Sequence, residues 1–398
     1  MCPRNLTQIF LGYISEKCIK SNFRMYKREK NIKVLIIWRG PSPYRVDFFN
    51  ELGKLCDLTV LFERRPDQIT DKEKSWFHED FTHFKGIYLK SITFRNTAFS
   101  LEQFKYLRKN AEYDYIVIGM YSTFIQMSSL LYLKLFKIPY LLNSDGGFIK
   151  KENKITYYIK RFFISGAKAY LSSSKGTSKY LQYYGANNKI MVYPFTTSFQ
   201  KDVYKNLTAE DKLKYKKILG IKYNVIILFS GQFIYRKGVD ILLKAAKNIS
   251  KQCGIYIVGG EPTREYLSLC KENNLNNVHF IGFTPPQDLA QYYIASDIYV
   301  LPTREDIWGL VINEAMAYGL PIITTDNCLA GLELIKNEEN GYIIPVNNTE
   351  LLAQYANLLI DNKSLRDKIA ANNRKKIQLY TLENMAKTHI DFLHNLKD

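Results

Sequence analysis

Residues 300–326 read VLPTREDIWGLVINEAMAYGLPIITTD, and this stretch decides the fold. The run Ile298–Leu301 has the length and continuous apolar character of a strand buried on both faces, and it stops at Pro302. A charged loop follows, then Gly309, and a helix is predicted through Glu314, Ala315, Met316 and Ala317. Gly319-Leu320-Pro321 ends that helix and launches a further apolar run, Pro321–Thr324. Strand, loop, helix and strand in this order make a unit of parallel sheet.

The same alternation extends to both sides. Towards the N-terminus of this stretch come Val225–Ser230, Ile255–Val258 and Val278–Ile281, and after it Tyr342–Ile344, with helical spacing at about 238–250, 264–273, 287–295 and 348–377. Earlier in the chain, Lys33–Trp38, Leu58–Phe62, Tyr115–Gly119, Pro139–Leu142, Ala169–Ser172 and Ile190–Tyr193 repeat the pattern, and Phe48, Phe49 and Leu52 mark a helix between the first two. The chain turns polar after Pro194. Thr208 and Asp211 have capping-box spacing ahead of a short helix that stops at Gly220. The reading is α/β: two Rossmann-like domains facing across a cleft, residues 31–200 and 201–380, with the junction near 196–208. A last amphipathic stretch within 381–398 is able to fold back across it.

A length of 398 residues suits two domains of roughly 150–200 residues each. The six cysteines are scattered, without a CxxC pair, which points to a reducing compartment and away from zinc or disulfides. The net charge of +18 is lopsided: residues 1–205 carry 34 Lys+Arg against 17 Asp+Glu, and residues 206–398 carry 22 against 21. A basic half suits nucleic acid, an anionic bilayer or phosphate-bearing substrates. The longest uncharged stretch, Tyr115–Leu133, contains Ser122, Thr123, Gln126, Ser128 and Ser129, and reads as a buried strand and a helix rather than a membrane span. Residues 1–30 form a basic extension. In it Leu6, Ile9, Phe10, Tyr13 and Ile14 have the spacing of an amphipathic surface helix, and an over-long start ahead of Met25 is the alternative.

Ligands of open α/β sheets bind at the carboxyl ends of strands, where helix N-termini gather. The loop after Leu301 puts Glu305 and Asp306 ahead of a helix whose first-turn N–H groups, at Gly309, Leu310 and Val311, form an anion site. Glu314 lies about one and a half turns into that helix. A second constellation is FSGQFIYRKGVD, residues 229–240: a strand ends at Ser230-Gly231, Gln232 follows, and Arg236 and Lys237 precede Gly238. Cations in a glycine-bounded loop suit a diphosphate. Gly260 and Phe283 follow two further strands. In the N-terminal half, Trp38-Arg39-Gly40-Pro41-Ser42-Pro43-Tyr44-Arg45 is a stiff loop, in which Arg39 and Arg45 meet either a phosphate or solvent. Asp145, in NSDGG, is either a cleft residue or a turn former. The five histidines lie outside these loops.

These motifs resemble the family 4 glycosyltransferases of GT-B fold. The family carries Glu, seven residues, then Glu ahead of an EAMA-like helix and a GLPV-like strand. Here Asp306 and Glu314 have that spacing, with Asp in place of the first Glu and Glu305 directly beside it. Lys237 matches the family's lysine, and Gln232 stands where an arginine is usual, with Arg236 near enough to supply the charge. The resemblance covers residues 31–390 and is strongest over 225–345.

It implies a retaining, hexosyltransferase-type enzyme that uses a nucleoside diphosphate sugar as donor and no cofactor. Lys237, Arg236 and the helix start would take the diphosphate, Glu314 the ribose, and Asp306 or Glu305 the sugar. Gly231, Gln232, Gly260 and Phe283 would line the nucleotide, and Asp145 falls where relatives place a cleft histidine. Arg39, Gly40, Tyr44 and Arg45 would wall the acceptor side. No Asp-x-Asp metal motif occurs. The expected partners are a glycan or lipid-linked acceptor, as in surface polysaccharide or glycolipid synthesis, and an anionic membrane surface at the cytoplasmic face. A nucleotide-sugar epimerase of the same shape is the rival enzyme. A nucleic-acid binder is the rival class, and the chain shows no module for it.

Overall fold

A computed structural model describes residues 32–65, 79–94, 97–203 and 207–396. The proposed amphipathic segment and His78 lie outside the described residues.

The N-terminal strands are β1 (Lys33–Trp38), β2 (Asp57–Phe62), β3 (Lys85–Tyr88), β4 (Ile92–Phe94), β5 (Thr97–Phe99), β6 (Tyr115–Ile118), β7 (Leu141–Ser144), β8 (Ala169–Ser172) and β9 (Ile190–Val192). Seven of them form a parallel sheet in the order β3-β2-β1-β6-β7-β8-β9, while β4 and β5 pair as a small antiparallel ribbon. The C-terminal sheet is also parallel. Its strands are β10 (Val225–Ser230), β11 (Cys253–Val258), β12 (Val278–Ile281), β13 (Ile298–Leu301), β14 (Ile322–Thr325) and β15 (Gly341–Ile344), ordered β12-β11-β10-β13-β14-β15. Strands such as β11 and β13 are buried along their whole length, as a sheet covered on both faces requires. Strand order reverses between β1 and β6 and again between β10 and β13. Such switch points open the crevice in which doubly wound sheets bind ligands.

Local chemistry sets the element ends. Asp211 N–H donates to Thr208 Oγ1 at 3.1 Å and Thr208 N–H to Asp211 Oδ2 at 3.0 Å, a reciprocal cap that opens the helix Ala209–Ile218. Lys212 and Lys216 of that helix reach Asp297, at 3.0 and 3.1 Å, and tie it to the start of β13. The stretch 348–377 is two helices, Thr349–Asp361 and Lys363–Ile377. Asn362 leaves helical geometry between them and caps the second by accepting from Leu365 N–H at 2.9 Å.

The last helix, Leu382–His394, crosses to the N-terminal domain and packs on the helix Pro43–Gly53. Tyr115 Oη of β6 donates to Leu393 O at 2.6 Å, and the His389 ring sits between Phe48 and Tyr193. One buried apolar cluster therefore runs from β1 and β2 through this helix into the C-terminal domain.

Candidate active site

Going along the C-terminal sheet from β12 to β13, the loops after successive strands carry Phe283, Gly260, Gly231 and the segment 302–309, so the residues expected at the nucleotide share one sheet edge. Gly231 has φ +145 and its N–H bonds Val258 O at 2.9 Å. Phe283 and Gln232 are exposed. Gly309, at φ +98, opens the helix Leu310–Ala317.

The cations and acids of the two marked constellations meet. Lys237 Nζ lies 2.6 Å from Asp306 Oδ2, and Arg236 Nη1 lies 3.4 Å from Asp306 Oδ1 while donating to Glu305 O at 2.8 Å. Asp306 is 6% exposed. Glu305 points elsewhere, its carboxylate reaching Lys150 of the N-terminal domain at 2.5 Å. Of the two neighbouring acids, Asp306 is thus the one paired with Lys237, and Glu305 is the one at the mouth between domains.

Glu314 ends a buried chain of hydroxyls. Tyr293 Oη donates to Glu314 Oε2 at 2.9 Å and lies 2.8 Å from Ser230 Oγ, which is 2.9 Å from Tyr299 Oη. Burial raises the Glu314 pKa, and the Tyr293 bond and the nearby Lys237 charge partly offset this.

The N-terminal side requires a correction. Arg45, expected to meet a phosphate or solvent, is instead buried and paired with Asp145. Arg45 is 1% exposed, with its guanidinium over the rings of Trp38 at 4.3 Å and Phe195 at 4.7 Å. Asp145 also accepts from Tyr193 Oη at 3.0 Å and Asn143 Nδ2 at 2.8 Å. A charge buried this deeply needs its partner, and Asp145 supplies it just beyond the carboxyl ends of β1 and β7. The backbone of the NSDGG loop does reach the site: a Cβ on Gly146 would stand 2.0 Å from Ile307 O. Arg39 and Gly40 are at the end of β1, and Tyr44 packs near Phe195 at 6.2 Å.

Residues without a sequence signal complete the site. Arg304 is bidentate to Asp240, at 2.8 and 2.7 Å, donates to Tyr235 O at 2.7 Å and lies over the Tyr235 ring at 3.8 Å. It locks the loop bearing Lys237 to the loop bearing Asp306. Asn313 accepts from Trp308 Nε1 at 2.9 Å and donates to Phe195 O at 3.0 Å, which fixes the helix start against the domain junction. At the end of β2, Glu63 is 1% exposed and accepts from Thr123 Oγ1 at 2.8 Å, and burial pushes its pKa up to about 7. Among the described residues no group of three His, Cys, Asp or Glu side chains is placed to hold a metal.

A family model described as glycosyl transferases group 1 matches residues 211–376. An uncharacterised glycosyltransferase of Methanocaldococcus jannaschii is 30% identical over 193 residues, which are 47% of this chain and 49% of that protein. The N,N'-diacetylbacillosaminyl-diphospho-undecaprenol alpha-1,3-N-acetylgalactosaminyltransferase of Campylobacter jejuni is 24% identical over 305 residues, 71% of this chain and 80% of that protein. The chain spans about half the length of several curated relatives, the archaeal one among them. In fold it is similar to Anabaena HepE, solved in complex with UDP, at a TM-score of 0.73 and 18% identity over 92% of this chain and all of that one. The chain therefore has the GT-B fold of two Rossmann-like domains, and its residues 211–376 match the family model of the glycosyl transferases group 1.

Proposed function

We propose that this protein transfers a hexose from a nucleoside diphosphate sugar to an acceptor hydroxyl with retention at the anomeric carbon. The observation that carries this reading is the Lys237–Asp306 contact of 2.6 Å at the switch point between β10 and β13. An ammonium and a carboxylate held together there suit the two sides of one scissile bond. Lys237, Arg236 and the helix start at Gly309–Val311 take the diphosphate as its charge grows. Asp306 takes a hydroxyl of the sugar, because its carboxylate is the one beside Lys237. Glu314 takes the ribose. The new carbon–oxygen bond forms on the face from which the diphosphate departs, and the acceptor proton passes to a leaving phosphate oxygen.

The relatives support a place in surface glycan synthesis, since one is named for capsular polysaccharide biosynthesis and another for transfer to a sugar on diphospho-undecaprenol. With a basic N-terminal half and no described helix long and apolar enough to cross a membrane, the chain works peripherally at an anionic cytoplasmic leaflet.

Lysine, arginine and a helix N-terminus make a divalent ion unnecessary for the leaving group. A panel of nucleotide sugars, assayed for turnover with and without lipid-linked acceptors, tests both points. Turnover of one donor should persist in excess chelator and rise with the acceptor. Loss in chelator, restored by Mg²⁺ or Mn²⁺, would count against metal independence, and failure to turn over any donor would count against the transfer reading.

A further inference from the structure

The helix Lys154–Ile164, KITYYIKRFFI, is oriented the wrong way for a core helix. A surface helix ordinarily turns its apolar stripe inward. Here Ile155, Tyr158, Ile159 and Phe162 follow i, i+3, i+4, i+7 spacing and face solvent, 74%, 63%, 50% and 48% exposed, while Phe163 and Ile164 anchor the helix from its last turn. The patch continues across the neighbouring helix Phe124–Leu135. Lys134 of that helix lies over the Phe162 ring at 4.8 Å, and Leu131, Leu135 and Phe136 are exposed around it. Charge frames the stripe: residues 149–162 hold five Lys and Arg against Glu152, which is itself held by Lys160 and Tyr184.

We propose that this helix is the membrane-docking element of the protein, lying in the headgroup layer of an anionic bilayer with Ile155, Tyr158, Ile159 and Phe162 towards the acyl chains. The inference rests on the peripheral-membrane reading above and deepens it by naming the surface. An outward apolar stripe with basic flanks is the pattern of an interfacial helix. A second copy of the chain fits less well, because a two-fold contact through this face would set basic rims against each other. The position suits a lipid-linked acceptor. The loop leading into the helix starts at the end of β7, and its Lys150 reaches Glu305 at the cleft mouth, so a headgroup at this surface lies beside the site.

Co-sedimentation of the full chain with vesicles of phosphatidylcholine alone, or mixed with phosphatidylglycerol, tests the surface. Wild type should bind the mixed vesicles and release with salt. Ile155→Ser/Ile159→Ser/Phe162→Ser should lose roughly tenfold or more in partitioning, and Lys151→Glu/Lys154→Glu should also bind more weakly. Both variants should keep the thermal unfolding midpoint and donor turnover of wild type. Leu213→Ser/Leu267→Ser, on exposed positions of the C-terminal domain, should bind as wild type. If the triple variant binds mixed vesicles as wild type does, this helix is not the docking element, although the membrane reading stands. If wild type binds neither vesicle, that reading fails and takes the proposal with it. If wild type is a dimer that the triple variant dissolves, without vesicle binding, a second copy covers the patch and the proposal is overturned.

Discussion

Lys237→Ala should lower donor turnover at saturating substrate on the order of a hundredfold, about 3 kcal/mol of lost transition-state stabilisation. The ammonium stands 2.6 Å from Asp306 in a loop where Arg236 is more exposed and 3.4 Å from the same carboxylate. Arg236 can replace part of the charge but not its position. The variant also leaves Asp306 short of a partner, which costs on the order of 1–3 kcal/mol of stability. Rate and stability must therefore be separated. Lys237→Arg should keep most of the stability and regain only part of the rate, because a planar fork does not reproduce a compact ammonium. Steady-state turnover and thermal unfolding on the same preparations read the two effects. Wild-type turnover in Lys237→Ala, whatever its unfolding midpoint, would remove Lys237 from the chemistry.

Gly238→Ala should be the most damaging single methyl group in the C-terminal domain. Gly238 has φ +73, a left-handed conformation that costs other residues about 1–2 kcal/mol. A Cβ there would stand 2.1 Å from Pro302 O, and overpacking of this kind adds about 1–3 kcal/mol. The two loops that carry Lys237 and Asp306 would be forced apart, so donor turnover should fall to background. The unfolding midpoint should drop by roughly 4–20 °C, at about 2–4 °C per kcal/mol. Gly220→Ala is the control: its φ is +65, but nothing lies within 4 Å of an added Cβ. It should lose only the conformational part and keep full turnover. Equal behaviour of the two variants would mean that the loop contact does not matter.

The elements and the placement of Asp306 and Glu314 around one helix start were legible because each depends on local pattern. Apolar runs marked β1, β10 and β13, and the spacing from Asp306 to Glu314 needed only one strand–loop–helix unit. β7 begins at Leu141 instead of Pro139, whose missing N–H keeps it out of a ladder. The strands β3, β4 and β5 were not anticipated, because they are short and β4 is fully exposed, so no buried run announces them. The Arg45–Asp145 pair joins residues 100 positions apart, and neither carries a signal that the other is its partner. Tyr293, Ser230 and Arg304 were missed for the same reason. A hydroxyl or guanidinium acquires its role from what the fold brings beside it.

Calorimetric titration of UDP, GDP and ADP into the full chain without divalent ions tests most directly whether the C-terminal cleft holds a nucleoside diphosphate through Lys237 and Glu314. One of the three should bind. Glu314→Ala should weaken that binding roughly ten- to hundredfold, the worth of a hydrogen bond to a charged group. Against the 2'-deoxy and 3'-deoxy forms of the same nucleotide, one of the two should show much less difference between wild type and Glu314→Ala. Lys237→Ala should weaken the diphosphate more than the corresponding nucleoside. Binding that ignores both substitutions, or no binding of any nucleotide, would contradict the account.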